Sequence, residues 1–184
     1  QDPDVVMVGE IRDSETAEIA IRAALTGHQV FSTLHTNDAT GAVTRLLDMG
    51  VEAFLISSSL EGVLAQRLVR RLCPVCRVLA PEMTAAREKL EAINGRALEG
   101  KFYQAKGCEE CRQTGYRGRV GIFELLVVRP EIREMIVHKR SNTELKAAAQ
   151  KTMVTLHQDG LQKAASGITT LEEIIRVSGG DNLE

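Results

Sequence analysis

At 184 residues, with 43% hydrophobic side chains but only 3% aromatic ones and no Trp, the chain has room for one large domain, or a medium domain with a small appendage, around an aliphatic core. Lys and Arg number 23 against 25 Asp and Glu, a net charge of −2, which argues against a general nucleic-acid coat and against a polybasic membrane binder. No apolar run approaches the about 18 residues of a spanning helix, and no signal peptide opens the chain. Gln1-Asp2-Pro3-Asp4 is acidic and turn-like, without a starting Met, and reads as a cut from a longer protein.

The first elements alternate. Val5 to Val8 is a short continuous apolar run, the pattern of a buried parallel strand. Asp13 or Ser14 is placed to cap a helix through Ala17, Ile21, Ala24 and Leu25 that stops at Gly27. Gln29 to Leu34 reads as a second strand, and His35 to Asp38 as a turn whose Asn37 or Asp38 caps the next helix. That helix carries Val43, Leu46 and Leu47 on one face and stops at Gly50. Strand, helix, strand, helix at this spacing predicts an α/β fold, a parallel sheet with covering helices. Chemistry in such sheets sits at the carboxyl ends of the strands.

Further along, residues 52–66 look helical and Arg67 to Leu72 alternates as a strand. A cysteine-bearing module over 73–115 holds a short helix near Thr84–Ile93 and a glycine-flanked turn at Gly95–Gly100. Gly118 to Val128 reads as a strand returning beside 67–72. The rest, from 130 to 184, is expected to be helical, with capping-box patterns at Ser141–Glu144 and Thr170–Glu173. The expected divisions are 1–72, 73–115 and 116–184.

The four cysteines form two Cys-x-x-Cys knuckles, Cys73 with Cys76 and Cys108 with Cys111. Each knuckle can give two thiolates to one tetrahedral ion, so together they make a closed Cys₄ site for structural Zn²⁺. The intervening stretch is longer than in common zinc ribbons. An iron or iron–sulfur centre, and free or disulfide-bonded thiols, are the alternatives. A closed shell leaves no open coordination position, so such a metal holds structure and does not catalyse.

Two features carry reactive chemistry. Glu10 ends the first strand, where P-loop enzymes place a glutamate that polarises the attacking water beside the γ-phosphate. His28 precedes the second strand and His35 follows it; at a strand's carboxyl end a histidine can donate to a phosphate oxygen. Taken singly, each reads more readily as a solvated or backbone-satisfied residue.

Asp2 to Asp13 (Asp-Pro-Asp-Val-Val-Met-Val-Gly-Glu-Ile-Arg-Asp) resembles the Walker B segment of the type II secretion and type IV pilus assembly ATPases. Ala24 to Asp38 resembles that family's histidine box, and Ala65 to Cys73 and Gly115 to Glu124 are also similar to it. The resemblance is specific over about residues 1–126 and implies the carboxyl-terminal part of a RecA-like P-loop ATPase core, with a Cys₄ zinc-binding insertion and a helical carboxyl-terminal tail. It gives Glu10 the catalytic role, and His28, His35 and Arg67 places at the nucleotide. Cys73, Cys76, Cys108 and Cys111 become the zinc ligands. Gly9 stands where other P-loop enzymes keep a Mg²⁺-binding Asp, as the family does.

The resemblance further implies a homohexamer on the cytoplasmic face of the inner membrane. It would be held there by secretion or pilus platform proteins, with ATP and Mg²⁺ bound in the full-length parent and no nucleic-acid partner. Retraction-type relatives generally lack the tetracysteine module. No Gly-x-x-x-x-Gly-Lys-[Ser/Thr] occurs. Gly95 to Lys101 comes near but ends in Phe102 and lies within the cysteine spacer, so the fragment alone is expected to be inactive. The competing reading is a zinc-ribbon module binding nucleic acid or protein, suggested by Arg67, Arg70, Arg71, Arg77, Arg112, Arg117 and Arg119 around the knuckles.

Overall fold

A computed structural model of the chain describes residues 3–178; residues 179–184 of the expected helical tail lie outside them. Within the described residues two compact units emerge, residues 3–65 with 124–154, and residues 66–123 with 155–178.

In the first unit, β1 (Val5–Glu10) and β2 (Gln29–Thr33) pair in parallel, with Val5 opposite Gln29, Met7 opposite Phe31 and Glu10 opposite Thr33. The chain between them is α1 (Ser14–Leu25), started by Asp13, whose carboxylate accepts from the Thr16 amide at 2.8 Å. Its Ala17, Ala20 and Ile21 are buried, a stripe at the i, i+3, i+4 spacing of one helix face. Gly27, at φ +99°, turns the chain back into β2, a conformation that side chains resist. Then come α2 (Ala39–Asp48), capped by Asp38, and α3 (Ala53–Ser59). Val43, Ile56, Ile136 and Leu145 are fully buried and form the middle of this unit. The last two belong to α5 (Pro130–Val137), which begins with Pro at its first turn, and α6 (Asn142–Ala149), which carries the expected Ser141–Glu144 capping box. The outward face of the parallel pair is apolar: Val5 and Phe31 are exposed, and Met7 is 78% exposed.

The long strands β3 (Gly62–Leu72) and β6 (Tyr116–Val127) pair with each other and pass from one unit into the other. Val128 N donates to Glu61 O at one end and Cys73 N to Gly115 O at the other, so they run in opposite directions. This corrects the expected helix over 52–66, which stops at Ser59. The hydroxyls of Ser57, Ser58 and Ser59 donate back to the Phe54 and Leu55 carbonyls, competing with the helical ladder. From Gly62 the side chains alternate between covered and exposed, the period of a paired strand.

The second unit holds β4 (Val78–Leu79) against β5 (Tyr103–Gln104), α4 (Ala85–Asn94), α7 (Leu156–Ala165) and α8 (Leu171–Ser178). Its core joins Val69 and Ile122 of the long strands to Leu90, Phe102 and Ile174. α7 and α8 approach closely at Gly160, where a Cβ would meet Ile174 Cδ1 at 2.7 Å. The expected Thr170–Glu173 box is half made. Thr170 Oγ1 accepts from the Glu173 amide at 3.3 Å, while the Glu173 carboxylate turns to Arg70 and Arg176. Two cations and a strand amide compete better for that carboxylate than one helix-end amide does.

Candidate functional site

Glu10 and His35 stand at the carboxyl ends of adjacent parallel strands, β1 and β2, and meet there. His35 Nε2 lies 2.6 Å from Glu10 Oε1. The other carboxylate oxygen, Oε2, accepts from Arg12 Nε at 2.7 Å and sits 2.5 Å from Arg12 Nη2. The Arg12 hydrogen bond, reinforced by the charges of Arg12 and His35, holds the Glu10 carboxyl below its ordinary range despite slight desolvation. Glu10 is therefore ionised at neutral pH, with a donor group on each oxygen. Beneath it, the Gly9 carbonyl accepts from Ser32 Oγ at 3.0 Å, and Ile11 N donates to Thr33 O, tying the two strand ends together.

The structure does not bring His28 to this cluster. His28 lies at the opposite end of β2, whose five residues span about 16 Å, and its Nδ1 is 3.1 Å from both Thr26 Oγ1 and the Ala23 carbonyl. Arg67 lies on β3 within the second unit, where its Nη1 donates to the Gln66 carbonyl at 3.1 Å.

The four cysteines converge within the second unit. Cys73 and Cys76 follow the end of β3, while Cys108 caps a single 3₁₀ turn, Glu109–Cys111, that Cys111 ends just ahead of β6. All four Sγ atoms lie within 4.8 Å of one another. Three of the separations are 3.7, 3.8 and 3.9 Å, against an edge of about 3.8 Å for a tetrahedron of sulfurs at Zn–S bond length. The thiols are free. Cys111 Sγ also accepts from the amides of Cys108 at 3.2 Å and Gly115 at 3.1 Å. Burial opposes the thiolate at Cys111, but these amides outweigh it and bring the thiol down to about 6, whereas burial pushes Cys76 up. Arg112 and Gln113 follow at φ 54° and 63°, two consecutive non-glycine residues in the left-handed region. Such backbone persists where its surroundings fix it; here Gln113 N donates to Cys108 O at 2.9 Å. The donor set, its spacing and its amide support fit Zn²⁺.

The sequence profile of the family described as "Type II/IV secretion system protein" matches residues 1–176. The chain belongs to that family. Among its relatives, type II secretion system protein E of Pseudomonas aeruginosa is 53% identical over 180 residues, covering 97% of this chain and 35% of the relative. The type IV pilus assembly ATPase PilB of Thermus thermophilus is 56% identical over 176 residues, 95% of this chain and 20% of that protein. Type II secretion system ATPase E of Vibrio cholerae is 53% identical over 179 residues. The chain thus spans about a third or less of the relatives it matches. The crystal structure of the pilus retraction motor PilT with bound ADP matches at TM-score 0.66 and 28% identity, covering 98% of this chain and 41% of PilT. The Yersinia pseudotuberculosis ATPase DotB matches at TM-score 0.65 and 19% identity, a likeness of fold alone. The α/β fold with its helical carboxyl-terminal segment is therefore the fold of these ATPases.

Three residues of this family member's site carry no role in the sequence reading. Arg12 stands two residues beyond Glu10, where an extended chain returns to the same side, and that spacing was a usable signal. Glu124 and Lys146 reach the turn after His35 across 85 and 108 residues of chain. Glu124 closes the family-like stretch Gly115 to Glu124, but no local pattern ties it to Ala39, and none marks Lys146.

Proposed function

We propose that this chain supplies the catalytic and metal-binding segments of an ATP-hydrolysing motor that drives type II secretion or type IV pilus assembly. The observation that carries it is the 2.6 Å contact of Glu10 with His35 at adjoining strand ends. Family membership and the ATPase names of the relatives support it.

In this reading Glu10 is the base that accepts a proton from the attacking water. Arg12 and His35 take up one side of each of its two oxygens, and in this reading His35 swings away as water and nucleotide arrive. His35, leaving Glu10, becomes free to donate to the γ-phosphate, so presence of that phosphate and release of the base are linked. Bound Mg²⁺ would neutralise phosphate charge; Gly9 offers it no side-chain ligand. Residues outside this chain provide the phosphate-cradling loop. His28 and Arg67 act at the nucleotide only when other parts of the assembly approach them. Cys73, Cys76, Cys108 and Cys111 hold a structural Zn²⁺ that braces the ends of β3 and β6. The motor works as a homohexamer on the cytoplasmic face of the inner membrane, docked through platform proteins. Among the described residues no helix is long and apolar enough to cross a membrane. The arginine-rich surroundings of the knuckles serve the fold in part, since Arg117 pairs with Glu110, Arg70 with Glu173, and Arg77 donates to the Gly167 carbonyl.

The test is steady-state ATP hydrolysis by the whole protein. Glu10→Gln is expected to lower kcat by about 10²–10⁴-fold, the usual weight of a general base, with the melting temperature unchanged because the side chain is near the surface. The chain by itself should show no turnover. A Glu10→Gln protein hydrolysing within about twofold of the parent would end the reading.

A further inference from the structure

His35 is 87% exposed, yet its ring must stay within hydrogen-bond reach of one carboxylate. Packing does not hold it there, so the backbone beneath it must. The turn after His35 is fixed at several points. Thr36 Oγ1 donates to the Asp38 carbonyl at 3.0 Å. Asp38 accepts from the Gly41 amide at 2.7 Å and from Lys146 Nζ of α6 at 3.0 Å. Burial alone would raise the Asp38 carboxyl, but Lys146 and the Gly41 amide outweigh it and keep it ionised below its ordinary range. Beside it, Glu124 of β6, only 4% exposed, accepts the Ala39 amide on Oε1 at 2.9 Å. Burying a carboxylate is costly unless donors meet it, and here a donor is the first amide of α2.

We infer that Glu124 is a positioning residue for the proposed hydrolysis: by gripping the first residue of α2, it fixes the turn that aims His35 at Glu10. Lys146 assists through Asp38. This rests on the reading of Glu10 and His35 as the reacting site. A turn shifted by about 1 Å is enough to lose up to 10²-fold in rate.

The experiment uses the whole protein in two arms. In the first, diethyl pyrocarbonate modification of each histidine is followed by mass spectrometry. Glu10→Gln, which weakens the grip on the ring, sets the reference. In Glu124→Ala and Lys146→Met, His35 should react several-fold faster, as in the reference, while part-buried His28 of the same unit keeps its parent rate. General unfolding would instead speed every histidine. Glu124→Gln retains an oxygen that can accept the Ala39 amide and should stay near the parent. Glu124→Met, similar in bulk but without an acceptor, replaces Glu124→Ala if that variant does not fold. In the second arm, Glu124→Ala should lower kcat about 10- to 100-fold with KM within about twofold, and Glu124→Gln should recover activity to within about threefold. Unchanged His35 reactivity in the folded Glu124 and Lys146 variants overturns the inference. Altered His35 reactivity with no effect of Glu10→Gln on hydrolysis would uphold the positioning and remove the ATPase reading instead.

Discussion

Stripping the proposed Zn²⁺ with a strong chelator is expected to release residues 73–115 from the fold and turn four protected thiols into four reactive ones. A structural zinc site contributes about 10–16 kcal/mol, comparable to the whole stability of an ordinary domain, so no other single removal should matter as much. The effect should spread along particular routes. Cys73 N donates to Gly115 O, closing the β3–β6 ladder, and Leu72 N donates to Ile168 O ahead of α8. Hydrogen exchange should therefore rise over 73–115 and at the ends of β3, β6 and α8, and stay lower over α5 and α6 of the other unit. Metal analysis should find one zinc per chain before chelation. If the folded chain contains no metal, or keeps its thiols protected after chelation, the Cys₄ centre is not what holds the module.

Replacing Glu173 with Ala should destabilise the second unit by about 2–4 kcal/mol. Its side chain is 1% exposed and accepts from Arg70 Nε at 2.9 Å, from the Arg70 amide at 2.8 Å and from Arg176 Nη2 at 2.7 Å. Breaking a buried pair from one side typically costs about 3–5 kcal/mol. Both guanidinium groups are about half exposed, so the lower part of that range applies. Burial acts to raise the Glu173 carboxyl, but the arginines and the Arg70 amide overcome it and hold the group at about 2, against an ordinary 4.5. The folded form thus keeps its charge to lower pH than the unfolded chain. This contribution is complete above about pH 4.5, and it disappears as pH falls toward 2. The shift corresponds to about 3 kcal/mol. Urea unfolding at pH 7 and pH 3 measures both points. The parent should lose stability between the two pH values more steeply than Glu173→Ala. Parallel pH profiles, or a loss under about 0.5 kcal/mol at pH 7, would contradict the account.

The first half of the chain was readable because its punctuation is local. Asp13 and Asp38 cap their helices through their own side chains, and Gly27 and Gly50 take the positive φ that ends them. The Glu10–His35 meeting was also foreseeable, since both residues sit at strand ends and parallel neighbours put those ends together. The stretch 52–66 was not. Phe54 and Leu64 are both exposed, so apolar residues there do not mark a single buried face. What decides for a strand is β6, more than fifty residues away. Glu173 offered a local capping partner and took distant ones. The Thr155–Gln158 capping box does form, and its spacing was visible in the sequence. Glu124 ends a stretch already visible in the sequence, but its partner Ala39, and Lys146 with its partner Asp38, could be found only in three dimensions.

The outward row of Val5, Met7 and Phe31 has a practical consequence for anyone handling this chain by itself. A parallel pair ordinarily has both faces covered, and an open apolar face on two paired strands is a template for sticking to another copy. Solutions of the isolated chain should therefore scatter light increasingly with concentration. Salts that strengthen hydrophobic contact should hasten precipitation rather than prevent it. A single Met7→Lys substitution, pointing to the opposite side of β1 from the Glu10 carboxylate, should raise the solubility limit several-fold and leave the four-cysteine cluster intact.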